Sequence, residues 1–227
     1  SLKLLLVLVP AHVILGLALA CLVHRTGKKM STAYRIILYI PTIMTTVSVA
    51  TAWSYLYDTD FGVINYFLEK LGIDKIPWLN SSVWAFWAIV IFSIWKFVGT
   101  PFLYYYIGLQ NIPTSLYEAA EIDGANRRQT FFHIVLPLIA PTGGIIAILC
   151  AINSLKVFDI VKTMTEGGPY YATDVIATYV YRTAFSSEIG MPRLGYASAA
   201  ALFFGGAVII IGILLNAMKD RLQKNVQ

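Results

Sequence analysis

Lys96 is the residue of this sequence whose position most demands a reason. It lies near the middle of the apolar run Val83–Leu109, beside Trp95 and three residues after Ser93. A charged side chain inside a membrane span is expensive, and it normally faces a bundle interior, a watery cavity or an ion-pair partner. Two roles are therefore open for Lys96, a place on a solute path and a structural ion pair. Thr42, Thr45 and Thr46 have the i, i+3, i+4 spacing of one helical face, with Pro41 loosening the local hydrogen-bond ladder. Asn153, Ser154, Lys156 and Asp159 mark the end of a later apolar run. Thr42, Thr46, Ser93, Trp95, Lys96, Asn153 and Lys156 together offer hydrogen-bonding groups and an aromatic face, a lining suited to a polyhydroxylated solute. The simpler alternatives are threonines bonded to their own helix and aromatic residues that anchor a span at the interface. Tyr104, Tyr105 and Tyr106 fit the interfacial belt best.

A second constellation is Glu118-Ala-Ala-Glu-Ile-Asp-Gly-Ala125, a polar island between apolar segments. Ser115 and Glu118 have capping-box spacing, Ala119 and Ala120 favour a slim helix, and Gly124 suits a left-handed helix end. The expectation is a short loop helix, either lying on a membrane or serving as a docking surface.

Other chemistry is missing from the sequence. Thr26-Gly-Lys-Lys is a fragment of a phosphate loop without its first glycine, so the chain is not expected to bind ATP by that device. His12, His24 and His133 are scattered with no ligand-spaced partners, and no metal site is expected. No catalytic signature appears, which argues against an enzyme. Cys21 and Cys150 lie in apolar runs and read as small hydrophobes.

The elements that must position these residues are membrane spans. The chain is 58% hydrophobic and 13% charged, against roughly 45–50% and about 25% for soluble domains. Its mean hydropathy is +0.69. Five runs reach spanning length: Leu2–Val23, Ile36–Tyr57, Val83–Leu109, Phe132–Ser154 and Tyr196–Met218. The predicted class is an all-α polytopic helix bundle forming one transmembrane domain over 1–227. Lys and Arg crowd His24–Arg35 and the tail after the last run, whereas Asp58–Asn80 is acidic. By the positive-inside rule the first loop, the Glu118 loop (about 110–131) and the C-terminus are cytoplasmic. The 58–80 loop and the region 155–194 are then external. Ser1 falls on the outer side, which implies a further span upstream. In 155–194, Glu166-Gly-Gly-Pro169 breaks the chain and Val175–Phe185 is spaced as a short amphipathic helix. The net charge of +5 follows from these loops, so nucleic acid is not an expected partner.

Glu118-Ala-Ala, Gly124, Ile134, Leu136 and Pro137 fill every fixed position of the EAA---G---------I-LP pattern, and the chain resembles the permease subunits of ABC importers. Ile112-Pro, Tyr117 and Phe131 extend the likeness to the carbohydrate-importer branch. Phe158-Asp159, Thr165-Glu-Gly-Gly-Pro169, Phe61-Gly62 with Asn65, and Trp78-Leu79 resemble its maltose-type first permease. The resemblance implies a type I importer permease fold, with six spans in the full protein and five here. It implies a coupling helix seated in a cytoplasmic ATPase, with Glu118 as polar contact, Ala119 and Ala120 as close-packed face, and Asp123, Gly124 and Ala125 completing the loop.

The implied partners are a second homologous permease forming a heterodimer, two copies of the ATP-binding subunit, and an external solute-binding protein. ATP and magnesium belong to the ATPases, with no cofactor on this chain. The implied place is the cytoplasmic (inner) membrane of a bacterium or archaeon. The expected cargo is a sugar or oligosaccharide moved by alternating access, its path on the second to fourth spans near Thr42, Thr46, Ser93 and Asn153. An anionic solute such as glycerol phosphate or an acidic sugar is the alternative suggested by Lys96 and Lys156. An ion-coupled carrier is disfavoured because no span contains Asp or Glu.

Overall fold

The computed structural model describes residues 1–155, 157–186 and 191–224, with Lys28, Ile211 and residues 214–224 as backbone only. Among the described residues all regular structure is helical. The helices are α1 (Leu2–His24), α2 (Lys28–Ile43), α3 (Thr46–Leu56), α4 (Val63–Lys70), α5 (Ser82–Phe97) and α6 (Gly99–Gln110). They are followed by α7 (Thr114–Ile122), α8 (Arg127–Thr130), a π-helical turn (Phe131–Val135), α9 (Leu136–Leu155), α10 (Asp159–Met164), α11 (Ile176–Phe185) and α12 (Leu194–Lys224).

Two helical stretches, Leu2–His24 and Arg127–Leu155, are long and apolar enough to cross a membrane. Two more qualify if α2 with α3, and α5 with α6, each form one broken span. The expected spans Ile36–Tyr57 and Val83–Leu109 thus fall on these two broken pairs. The first break follows Pro41: α2 stops at Ile43, and Thr45 turns extended (φ −59°, ψ 125°) before α3 begins. Thr42, Thr45 and Thr46 consequently do not share a helix face, because the register ends between them. The last expected span falls on α12.

Large apolar side chains such as Ile14, Leu22, Ile37, Ile43, Leu202 and Phe203 are more than half exposed. Water would penalise so much exposed apolar surface, whereas hydrocarbon does not.

Packing divides the chain into two compact units, one of Ser1–Leu8, Met44–Trp95 and Ile152–Gly212, the other of Val9–Ile43, Lys96–Ala151 and the chain from Ile213 on. In the first unit α10 packs on α3, and Tyr57, Trp78, Phe92 and Val161 are buried. Its loop 58–80 folds around Asn65. The side-chain amide of Asn65 donates to the Thr59 and Ile76 carbonyls at 3.0 and 2.9 Å, and its oxygen accepts from the Ile76 N–H and Trp78 Nε1, each at 3.1 Å. The expected breaker cluster is a tight turn with a cis Gly168–Pro169 bond and positive φ at Glu166, Gly167, Tyr170 and Tyr171. Arg182 and Asp174 pair at 2.6 Å behind it, and the expected surface helix is α11.

In the second unit Ala20, Val23, Phe102, Tyr105, Tyr106, Ile139 and Ile146 form the core, with Cys21 and Cys150 packed against it as free thiols. Tyr105 and Tyr106 are thus buried, which corrects the interfacial-belt reading for both. Gly143 makes room for Tyr105, since a Cβ there would lie 2.8 Å from its hydroxyl, and Ser31 Oγ sits 2.6 Å from the Tyr106 hydroxyl. Tyr104 remains exposed.

Candidate functional site

The Glu118 island folds as the expected short helix, but it is stabilised differently. Pro113 occupies the cap position of α7 and no side chain caps that end, so Ser115 and Glu118 form no capping box. Ser115 lies inside the helix, past the point where a hydroxyl could reach the free N–H groups. The capping box appears at α8 instead. There Asn126 Oδ1 accepts from the Arg128 and Gln129 N–H groups at 3.1 and 3.0 Å, and Gln129 Oε1 accepts from the Asn126 N–H at 2.8 Å.

The end of α7 is closed by backbone alone. The Ala125 N–H donates to the Ala120 carbonyl at 2.9 Å and the Gly124 N–H to the Glu121 carbonyl at 3.1 Å. This is the paired bonding of a Schellman motif around a left-handed residue. Gly124 has φ +74°, and a Cβ added to it would meet nothing within 4 Å. Conformation, and not space, therefore selects glycine here.

These backbone closures leave the side chains available. Glu118, Ala119 and Asp123 are exposed, and among the described residues Glu118 and Asp123 have no hydrogen-bond or ion-pair partner. Ala120 is turned into its own unit and Ala125 is half-buried. Ile122 is 86% exposed, one turn after Glu118 on the same face. Sequence reasoning passed over it, although a bulky aliphatic residue in a polar island was the available signal. The surface offered is a carboxylate, a small patch and an apolar knob.

Lys96 has a different setting. It sits in the last turn of α5 and is fully buried. Its Nζ donates to the Pro41 carbonyl in the last turn of α2 at 2.8 Å. In return Thr42 Oγ1 donates to the Lys96 carbonyl at 2.9 Å. Carbonyls in the last turn of a helix lack intrahelical donors and carry the negative end of the helix dipole, so each broken helix caps the other. Gly99, the first residue of α6, permits the approach. A Cβ there would collide with the Leu38 carbonyl and lie 2.9 Å from Thr42 Oγ1. Lys96 thus stands at the break between α5 and α6, with the Pro41 carbonyl among its partners. Gly99 was missed because nothing in its sequence surroundings announces a contact with α2.

The remaining path candidates belong to the other unit. Ser93 is buried, and its hydroxyl has no partner among the described residues. Trp95 is 38% exposed and lies against Trp53 with ring centroids 5.0 Å apart. Thr46 opens α3 half-buried, and Asn153 near the end of α9 is exposed. Lys156 lies outside the described residues. Of the seven, the structure brings Thr42 and Lys96 together.

Comparison with known proteins agrees with this architecture. Over 96% of its length the chain superposes on 77% of a chain from a bacterial ABC transporter involved in the import of the acidic polysaccharide alginate, with a TM-score of 0.83 and 28% identity. It is 35% identical to the sulfoquinovosyl glycerol transport system permease protein of Agrobacterium fabrum over 95% of this chain and 69% of that protein. It is 39% identical to the trehalose/maltose transport system permease protein of Thermococcus litoralis over 76% of this chain and 58% of the relative. Residues 12–227 match the family model described as the inner membrane component of binding-protein-dependent transport systems. A polytopic helical chain with an exposed, glycine-terminated EAA loop, matching that model over nearly its whole length, belongs to the family of binding-protein-dependent transport system inner membrane components.

Proposed function

We propose that this chain is the permease subunit of an ATP-driven importer of sugars or oligosaccharides, and that α7 is the element through which it receives force. The observation that carries the reading is the state of α7, whose C-terminal end is closed by backbone bonds alone while Glu118, Ala119, Asp123 and Ile122 face outward unengaged. A membrane protein has no internal use for such a surface. A cleft in a cytoplasmic ATP-binding subunit would be its counterpart.

In this reading two copies of the ATP-binding subunit hold ATP and magnesium, and a second, homologous permease completes a heterodimer. An external binding protein delivers the solute, and ATP-driven closure of the ATPases switches the permeases from inward- to outward-facing. The Lys/Arg bias supports placing α7 and the C-terminus on the cytoplasmic side. The carbohydrate assignment is supported by relatives named for trehalose/maltose, lactose and starch degradation products.

An acidic solute is a second reading, favoured by the matched alginate importer. Lys96 gives it no support, because its ammonium is buried against Pro41. The main test is uptake by the assembled transporter carrying Glu118→Lys or Gly124→Asp. Transport is expected to be lost while the external receptor still binds its solute; normal uptake in both variants would overturn the assignment of α7.

A further inference from the structure

Beside α7, with Tyr117, Glu121 and Ala125 of that loop among its lining, the second unit contains a groove of about 650 Å³. Its walls include Leu109 of α6, Phe131 and Val135 of the π-helical turn, and the α1 terminus with His24 and Arg25. Arg127, at the start of the continuous helix Arg127–Leu155, also lines it, and Glu121 is its acid. Among the described residues neither Arg25 nor Arg127 has an ion-pair partner.

Two features locate the groove. Leu2–His24 and Arg127–Leu155 are the two helical stretches long and apolar enough to span, and the basic residues stand where these two helices end. The mouth therefore lies in the headgroup layer, while Leu109, Phe131 and Val135 line the part toward the hydrocarbon. Two guanidinium groups and an apolar wall lining one groove are complementary to a phosphate carrying acyl chains. Basic pockets between spanning helices are places where acidic lipid headgroups bind.

We propose that this groove is a binding site for one anionic phospholipid, with the phosphate on Arg25 and Arg127 and an acyl chain along Leu109, Phe131 and Val135. A free anion would leave the apolar wall unused. A docked protein segment would have to enter between two spans. Because Tyr117 and Glu121 of α7 also line the groove, a bound lipid lies against α7, the coupling element if the function proposed above holds.

Native mass spectrometry of the assembled, detergent-solubilised transporter tests this, with phosphatidylglycerol and phosphatidylcholine of matched chains and inorganic phosphate as the third probe. Two arginines near a lipid phosphate predict a preference for phosphatidylglycerol of roughly thirtyfold, and each single Arg→Gln change should remove about fivefold. The R25Q/R127Q pair is expected to bind both lipids within about twofold, and the R25K/R127K pair to keep most of the preference. If the glutamine pair fails to fold, the single variants decide. An unchanged preference in either single variant overturns the proposal. So does displacement of phosphatidylglycerol by equimolar inorganic phosphate, which would make the site one for free anions. Loss of the ATP-binding subunit from the R25Q/R127Q complex with lipid preference intact would make the groove a protein dock and overturn it likewise.

Discussion

Two polar features of the second unit solve opposite problems. At α7 the backbone satisfies itself, through the Ala125–Ala120 and Gly124–Glu121 bonds, and the side chains are left outward. At the α2 and α5 ends the backbone is broken, and the Lys96 and Thr42 side chains are used to satisfy it. The first arrangement suits a surface that must meet a partner, because no internal bond has to break on docking. The second suits a joint that must hold its geometry in an apolar medium, where an unsatisfied carbonyl costs roughly 1–3 kcal/mol. Charge plays a different part in each. Glu118 is exposed and bonded to nothing in its own unit, whereas Lys96 is buried and bonded to a helix end.

The largest expected effects would come from breaking the first arrangement. Glu118→Lys and Gly124→Asp should abolish uptake by the assembled transporter; the thermal unfolding midpoint should hardly move in Glu118→Lys, since Glu118 has no internal partner, and fall only by a few degrees in Gly124→Asp, since aspartate in the left-handed region costs roughly 1–2 kcal/mol. A matching fall in midpoint and uptake would show that α7 is structural after all.

Damage to the second arrangement should reverse that pattern. Gly99→Val puts side-chain atoms against the Leu38 carbonyl, and overpacking of this kind costs about 1–3 kcal/mol. Loss of folded protein in detergent, read by size-exclusion chromatography and thermal melting, should precede any specific transport defect. A smaller effect is expected for Thr42→Val, which removes one hydrogen bond worth about 0.5–1.5 kcal/mol. Lys96→Ala should lower uptake of neutral and acidic solutes by the same factor. A loss confined to acidic solutes would return Lys96 to the solute path.

The smallest effect concerns a loop in the other unit. The Asp58 carboxylate accepts from the Phe61 and Asp60 N–H groups, in that order of influence, and is held below its ordinary value of 3.8. The carboxylate form is the one bound in the folded loop. Its contribution is present above about pH 3.8 and is lost as pH falls through the lower folded value. Amide exchange at Phe61 should be slow at pH 5 relative to its intrinsic rate and lose that protection in strong acid, and Asp58→Asn should remove the pH dependence.

The spans were legible because a run of apolar side chains needs no partner to be recognised; composition and length suffice. The α7 loop was legible for a related reason. Gly124 and the EAA spacing act over a few residues, and the Schellman closure is local. The capping box was misread on the same local ground: Ser115 and Glu118 had the spacing, but the helix is capped at Pro113, two residues too early, and Asn126 and Gln129 use the device instead. Tyr105 and Tyr106 looked interfacial because their partners, Gly143 and Ser31, are remote in sequence.

By itself, then, the sequence determined what is governed by composition and short-range chemistry: a membrane-embedded helical chain, an exposed loop helix ending at Gly124, and the family pattern that loop carries. Only the tertiary structure decided what Lys96 does. Its partners include a carbonyl at Pro41 and a hydroxyl at Thr42, brought within reach by two helix breaks and the missing side chain of Gly99. A backbone carbonyl looks the same at every position in a sequence. Which one is left without a donor depends on where a helix stops, and here tertiary contacts supply what the broken helices lack.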